Sequence, residues 1–187
     1  MLVGAWLISL GAIAASELED VAKARLQNLS GQIESLQFPS NTKAVVFLFL
    51  SVECPISNSY APEIRRIGAE FGPKDVLIKL IYPNVDETAE AVKKHVKEFD
   101  LPFPALRDIR HDLVKASHVR ATPEAALFVP KVGFVYHGRI DNRYADLGVA
   151  RPQATEHDLR DALAAVIAGK RVPRTSSPAI GCSIAPL

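Results

Sequence analysis

The sequence predicts an α/β domain with a central mixed sheet. Three observations carry that prediction. Two apolar runs of strand length, residues 44–50 (AVVFLFL) and 76–83 (VLIKLIYP), flank a helical stretch, the strand, helix, strand order that a parallel pair needs for its crossover. Residues 126–129 (ALFV) and 134–141 (FVYHGRID) lie close enough across Pro130 to Gly133 to form an antiparallel hairpin. A final segment, TEHDLRDALAAVIAG, places Leu159, Leu163, Val166 and Ile167 on one side, the pattern of a helix laid on a sheet.

Taken in chain order, residues 1–16 (MLVGAWLISLGAIAAS) carry no charge and end in the small residues Ala12, Ala14, Ala15 and Ser16, as a cleaved export signal does. They predict an exported, periplasmic or extracytoplasmic protein with no stable membrane insertion after cleavage; a cytoplasmic setting follows if the segment is not a signal. Residues 17–25 are a polar, helix-compatible lead-in. Residues 26–36 fit a helix or two short strands turning at Gly31, and the hairpin is favoured. Residues 44–50 are apolar without interruption, so both faces of that strand are expected to be buried. Residues 57–71 read as a helix containing Pro62 and stopped by Gly72-Pro73, before the second buried strand. Asp86-Glu87 opens a helix through Phe99, with acidic residues in its first turn where the helix dipole favours them. PFPALRD is a short strand and HDLVKASHV a short helix. The last helix is expected to take Thr155 as N-cap and to end at Gly169. The domain therefore spans residues 17–169, followed by a flexible tail, 170–187, rich in Pro, Ser and Thr and carrying Cys182.

Composition narrows the function. A chain of 187 residues, 48% hydrophobic and 23% charged, is long enough for one domain with a substantial core. A net charge of +1 leaves no electrostatic footprint for nucleic acid. The two cysteines of an exported chain would meet an oxidising compartment, where a disulfide persists. The histidines (His95, His111, His118, His137, His157) show no C-x-x-H or H-x3-H spacing and read as ordinary helix or strand-surface residues. No C-x-x-C-H occurs, and no cofactor is implied.

Three positions add specificity. Cys54 sits where a strand feeds a helix, Pro62 follows eight residues later, and Thr122-Pro123 immediately precedes a strand. Together they resemble the thioredoxin fold, in which a nucleophilic cysteine occupies a helix N-terminus, a proline kinks that helix and a cis-proline loop faces the thiol. The stretch from Leu26 to Gly169, with its opening L-x-N-L-x-G, resembles the redoxin branch, which includes alkyl hydroperoxide reductase and thiol-specific antioxidant (AhpC/TSA-like) proteins. CPISNSYAPE, FPALRD, ATPEA, GRIDNRY and AIGCSI are similar to a group of bacterial redoxin-domain proteins. The resemblance implies a thioredoxin-like three-layer α/β/α fold and an oxidoreductase or antioxidant role. Cys54 would be the nucleophile, with Thr122 and Pro123 shaping a substrate groove. The partners implied are a thiol or disulfide protein or a peroxide, together with an external thiol reductant.

A sulfur at a helix start faces unpaired N–H groups that favour thiolate, whereas Glu53 would raise the thiol pKa if it pointed inward. A buried, inert cysteine is the alternative. Ser57 departs from the dithiol pattern, because it stands where a second cysteine would release a mixed disulfide. Cys182 is the one other thiol in the chain, and loop-closure entropy grows only logarithmically with the intervening length. Peroxide reduction would run through a sulfenic acid resolved by a second cysteine, yet only half of the peroxiredoxin pattern is present: Ser51 fits, and Phe47 stands where a proline belongs. Arg120 is a candidate to reach the thiol, or a solvated surface arginine. Copper-delivery relatives of the fold carry a cysteine where this chain has Asn58. A non-catalytic docking module also remains, with Ser57 marking lost catalysis. The loop GRIDNRYADLG is read as held by its own Arg–Asp pairs, and Tyr60 as packing or substrate contact.

Overall fold

The computed structural model describes residues 6–187. The start of the apolar segment read as an export signal, residues 1–5, lies outside the described residues; the rest of it and the polar lead-in form one helix, α1 (Trp6–Lys23). Among the described residues no helix is long and apolar enough to cross a membrane.

Residues 26–36 form a hairpin, β1 (Leu26–Asn28) and β2 (Ile33–Glu34), in which Asn28 Oδ1 accepts from the N–H groups of Ser30 and Gln32. An asparagine bonding its own turn in this way competes with a helix. β3 (Ala44–Phe49) follows, then α2 (Pro55–Ser59), α3 (Ala61–Phe71), β4 (Val76–Tyr82), α4 (Ala89–Glu98), β5 (Ala105–Arg107) and α5 (Asp112–Ser117). β6 (Ala121–Thr122), β7 (Glu124–Val129) and β8 (Gly133–Gly138) come next, with a small hairpin of β9 (Tyr144–Asp146) and β10 (Val149–Ala150), and then α6 (Asp158–Ile167). β11 (Ser176–Ser177) and β12 (Cys182–Ser183) end the chain.

The main sheet runs β11-β8-β7-β3-β4-β5-β1-β2, with β3, β4 and β5 parallel and β7 antiparallel to β3. β3 shows why both faces must be apolar. Ala44, Val46 and Leu48 point into one core with Ile64 and Ile67 of α3 and Leu159 and Leu163 of α6. Val45, Phe47 and Phe49 point into the other with Val21 of α1 and Leu113 of α5. Successive strand residues alternate faces, so an unbroken apolar run fills two layers at once.

Three boundaries differ from the sequence reading. The helix expected over 57–71 is two helices meeting at Tyr60, with Pro62 in the first turn of α3; proline has no N–H to continue the ladder. α4 begins after Thr88, whose hydroxyl accepts from Ala91 N–H, and Glu87 turns inward. α6 begins after His157, because the Thr155 hydroxyl is engaged with the Asn142 amide at 2.8 Å.

Residues 170–187, expected to be a flexible tail, form a strap paired at two points. β11 lies parallel beside β8, and β12 antiparallel beside β6. The pairing is by main chain, without the apolar periodicity that announces a strand. Ser177 is bonded to the buried Tyr136 hydroxyl at 2.6 Å. Gly138 permits the close approach: its φ is +143°, and a Cβ there would lie 2.2 Å from the Ser177 carbonyl oxygen.

Candidate active site

β3 ends at the sheet's centre, and the following turn delivers Cys54 to the start of α2 with only 1% of its surface exposed. Protonated, its S–H is aimed at the Thr122 carbonyl oxygen, 3.2 Å away. Burial pushes the thiol pKa up, but hydrogen bonds from the Cys182 thiol and from the Ser57 N–H and hydroxyl outweigh it. The net position is below an ordinary thiol. Ser57 is itself buried. The residue that replaces a second cysteine therefore supports a thiolate.

Cys182 reaches the same point from the strap. Its S–H donates to Cys54 Sγ across 2.7 Å, and both cysteines are free thiols in this structure. Partial burial pushes its pKa up to about 11, with the bond to Cys54 and that sulfur's charge adding to the shift. Of the two, Cys54 is therefore the readier to ionise and Cys182 the readier to keep its proton. β12 is held at Thr122, whose hydroxyl donates to the Cys182 carbonyl at 3.4 Å, and at Arg120, whose carbonyl accepts from Ile184 N–H at 2.9 Å. Gly181 lets the strap lie this close, since a Cβ there would be 2.2 Å from the Thr122 carbonyl oxygen. The Thr122-Pro123 peptide bond is cis, and both residues are buried against the sulfur pair.

Beneath the site lies a polar frame that the sequence reading missed. Glu87 Oε1 accepts from the Ser51 hydroxyl (2.6 Å), the Val52 N–H (2.9 Å) and the Asn84 amide (2.9 Å). Asn58 bonds the Val52 carbonyl and His95, and His95 bonds Tyr82. His95 is 3% exposed and His111 5%, so neither is the surface histidine expected. The one signal available was that His95 falls on the apolar side of α4 with Val92.

Of the candidates, Cys54, Ser57, Thr122, Pro123 and Cys182 converge. Arg120 does not join them through its guanidinium: the side chain is exposed, and its main chain serves the strap and Glu124. Glu53 is exposed. Tyr60 is buried and donates to Asp141 Oδ1 at 2.6 Å, so its hydroxyl is committed within the fold. The loop at 138–148 is held by partners outside it instead of its own Arg–Asp pairs: Asp141 by Tyr60, and Arg139 by Asp158 of α6 at 2.7 Å. The carboxylates that reach Arg139, those of Glu156 and Asp158, lie beyond the loop. Among the described residues no group of three or more His, Cys, Asp or Glu side chains is gathered for a metal ion.

Known proteins fit this picture. No curated protein matches the chain. An uncharacterised conserved protein from Geobacillus kaustophilus is 29% identical, with a TM-score of 0.71 over 87% of this chain and 88% of its own. A hypothetical protein from Sinorhizobium meliloti 1021 is 28% identical, with a TM-score of 0.70 over 86% and 88%. A secreted Mycobacterium tuberculosis disulfide oxidoreductase, homologous to Escherichia coli DsbE, shares the fold at 20% identity, with a TM-score of 0.54 over 81% and 98%. Residues 18–137, from α1 through the cysteine, the cis-proline and most of β8, match the AhpC/TSA family. With its mixed sheet, helix-start cysteine and facing cis-proline, the chain belongs to the AhpC/TSA family and has a thioredoxin-like fold.

Proposed function

We propose that the protein is a thiol–disulfide oxidoreductase in which Cys54 attacks and Cys182 resolves. The Cys54 thiolate attacks one sulfur of a partner disulfide; that S–S bond breaks, the partner's other sulfur leaves as a thiolate and takes a proton, and a mixed disulfide remains on Cys54. Cys182, giving up its proton, attacks Cys54 Sγ and expels the partner's second thiolate. The chain is left with a Cys54–Cys182 disulfide, and the partner has gained two electrons. An external dithiol reductant returns both cysteines to thiols by the same exchange. The observation that carries this reading is the approach of the two sulfurs to 2.7 Å. A disulfide needs about 2.05 Å, so only a small movement separates the two states.

Disulfide exchange is supported over peroxide reduction by two placements. The Ser51 hydroxyl is committed to Glu87, and the Arg120 side chain is exposed, so neither supplies the donors a peroxide would use. The apolar start of the chain supports export, and the M. tuberculosis oxidoreductase of the same fold is secreted. The test is disulfide mapping after diamide oxidation, paired with reduction of insulin disulfides. The expected result is a Cys54–Cys182 bond and a turnover that Cys54→Ser abolishes. A folded chain whose Cys54 stays reduced under diamide, or a Cys54→Ser chain that keeps full activity, overturns it.

A further inference from the structure

The main chain of Val52, two residues before the cysteine, is gripped at both of its polar atoms by side chains from elsewhere. Its N–H donates to Glu87 Oε1 at 2.9 Å, and its carbonyl accepts from Asn58 Nδ2 at 3.3 Å. The second bond closes the segment 52–58 on itself, with Cys54 inside it. α2 is five residues long, too short to fix its own orientation by helical hydrogen bonds. Its direction is set from outside.

The Asn58 side chain is fixed in turn. With its NH2 group committed to Val52, Asn58 presents Oδ1 to His95 Nε2 at 2.8 Å, and an amide oxygen can only accept. The imidazole proton must therefore sit on Nε2, which leaves Nδ1 to accept from the Tyr82 hydroxyl at 2.8 Å. The chain of bonds runs in one sense, Tyr82 to His95 to Asn58 to Val52, with each donor used once. Tyr82 is fully buried and His95 nearly so. Burial lowers the His95 pKa, against a smaller opposing pull from Glu98, which suits the neutral tautomer the bonds require.

We propose that His95 is a positioning residue for Cys54, acting through Asn58 to hold the 52–58 loop so that the sulfur meets Ser57, Thr122 and Cys182 together. The proposal rests on the reading of Cys54 as the nucleophile. A histidine kept only for packing would be replaced without consequence by another ring, since His95 packs at a tilt against Phe99, 4.7 Å between centroids, and edge-on to Tyr82 at 5.6 Å. His95→Phe keeps the ring and removes the donor to Asn58. His95→Gln keeps one acceptor and one donor on a flat group.

The readouts are the titration of Cys54, followed as ultraviolet thiolate absorbance against a Cys54→Ser chain, and the rate of Cys54–Cys182 closure with diamide. His95→Phe is expected to move the Cys54 midpoint up by about one pH unit, which leaves up to about tenfold less thiolate below the midpoint, and to slow closure there by a similar factor. His95→Gln is expected to stay near wild type in both. A folded His95→Phe chain with the wild-type midpoint and closure rate overturns the proposal, as does a Gln variant as impaired as the Phe variant. If His95→Phe does not fold, Asn58→Ala cuts the same link at a half-buried position and is read by the same two measures, with the same outcomes expected and the same outcomes overturning. Should wild-type Cys54 titrate as an ordinary thiol and never bond to Cys182, the nucleophile reading itself falls; an unchanged His95→Phe beside a reactive wild type removes only the positioning role.

Discussion

The two cysteines meet at 2.7 Å from regions built in opposite ways. Cys54 comes from the interior, on a turn whose hydroxyl, N–H and carbonyl groups are gripped by the side chains of Glu87, Asn84 and Asn58. Cys182 comes from the surface, on a strap held almost wholly by main-chain pairing to β6 and β8. The interior frame is a set of side-chain bonds that fix the turn carrying Cys54. The strap is placed by its main chain, and the thiol it brings is itself a donor to Cys54. Side-chain changes should therefore matter most around Cys54, and backbone changes most around Cys182.

The largest test removes the tuned sulfur: Cys54→Ser should bring insulin disulfide reduction down to the uncatalysed level. Cys182→Ser should instead permit the first attack and accumulate a mixed disulfide on Cys54, visible by mass spectrometry of the intact chain. Next in size is Gly181→Val, whose branched side chain has no room against the Thr122 carbonyl. Lifting the strap should cost about a hundredfold in the rate of diamide closure, as an intramolecular partner loses its effective concentration. Ser183→Val, on an exposed strap residue, should stay within about twofold if the strap works through its main chain. A larger loss for Ser183→Val than for Gly181→Val would break the comparison.

Smaller still is Ser57→Ala, which deletes one donor to the Cys54 sulfur. The Cys54 midpoint should rise by a few tenths to about one pH unit, so that the thiolate fraction at neutral pH falls by up to about two- to tenfold. The linked effect on stability has a definite sign. The folded pKa of Cys54 lies below that of the unfolded thiol, so its ionisation stabilises the fold fully above the unfolded pKa, and that contribution is lost as pH falls through the folded pKa. Ser57→Ala should shrink the contribution, seen in denaturant melts across neutral to alkaline pH. The smallest expected effect is that of Tyr136→Phe, which frees Ser177 from its anchor at about 1 kcal/mol, with little change in Cys54 titration.

What could be read from the sequence follows from the same contrast. The buried strands of the main sheet were legible because apolar runs such as AVVFLFL must fill both cores. Cys54 and Thr122-Pro123 were legible because, each beside a strand and with Pro62 between them, they resemble the thioredoxin pattern. Glu87, Asn58 and His95 were not, since the bonds that tie Glu87 to the 51–52 turn and His95 to Asn58 join positions 35 to 37 residues apart and no local spacing encodes them. Glu87 read as a helix-opening acid, which is the commoner use of that residue type at that place. The docking of the strap was hidden for a different reason. Two-residue strands pair by backbone, and SS or CS in a stretch rich in Pro and Ser carries no periodic signal.

The strap's two attachments make it a measure of length. Ser177 is fixed against Gly138 and Cys182 against Thr122, so residues 178–181 must span a set interval. Side chains alternate along an extended chain, and a slip of one position turns each to the opposite side. One residue more or fewer between the anchored serine and the cysteine would deliver the sulfur facing away from Cys54, even with all the chemistry of the interior intact. The count of residues in PAIG is a stricter requirement than most of their identities, with Gly181 the exception.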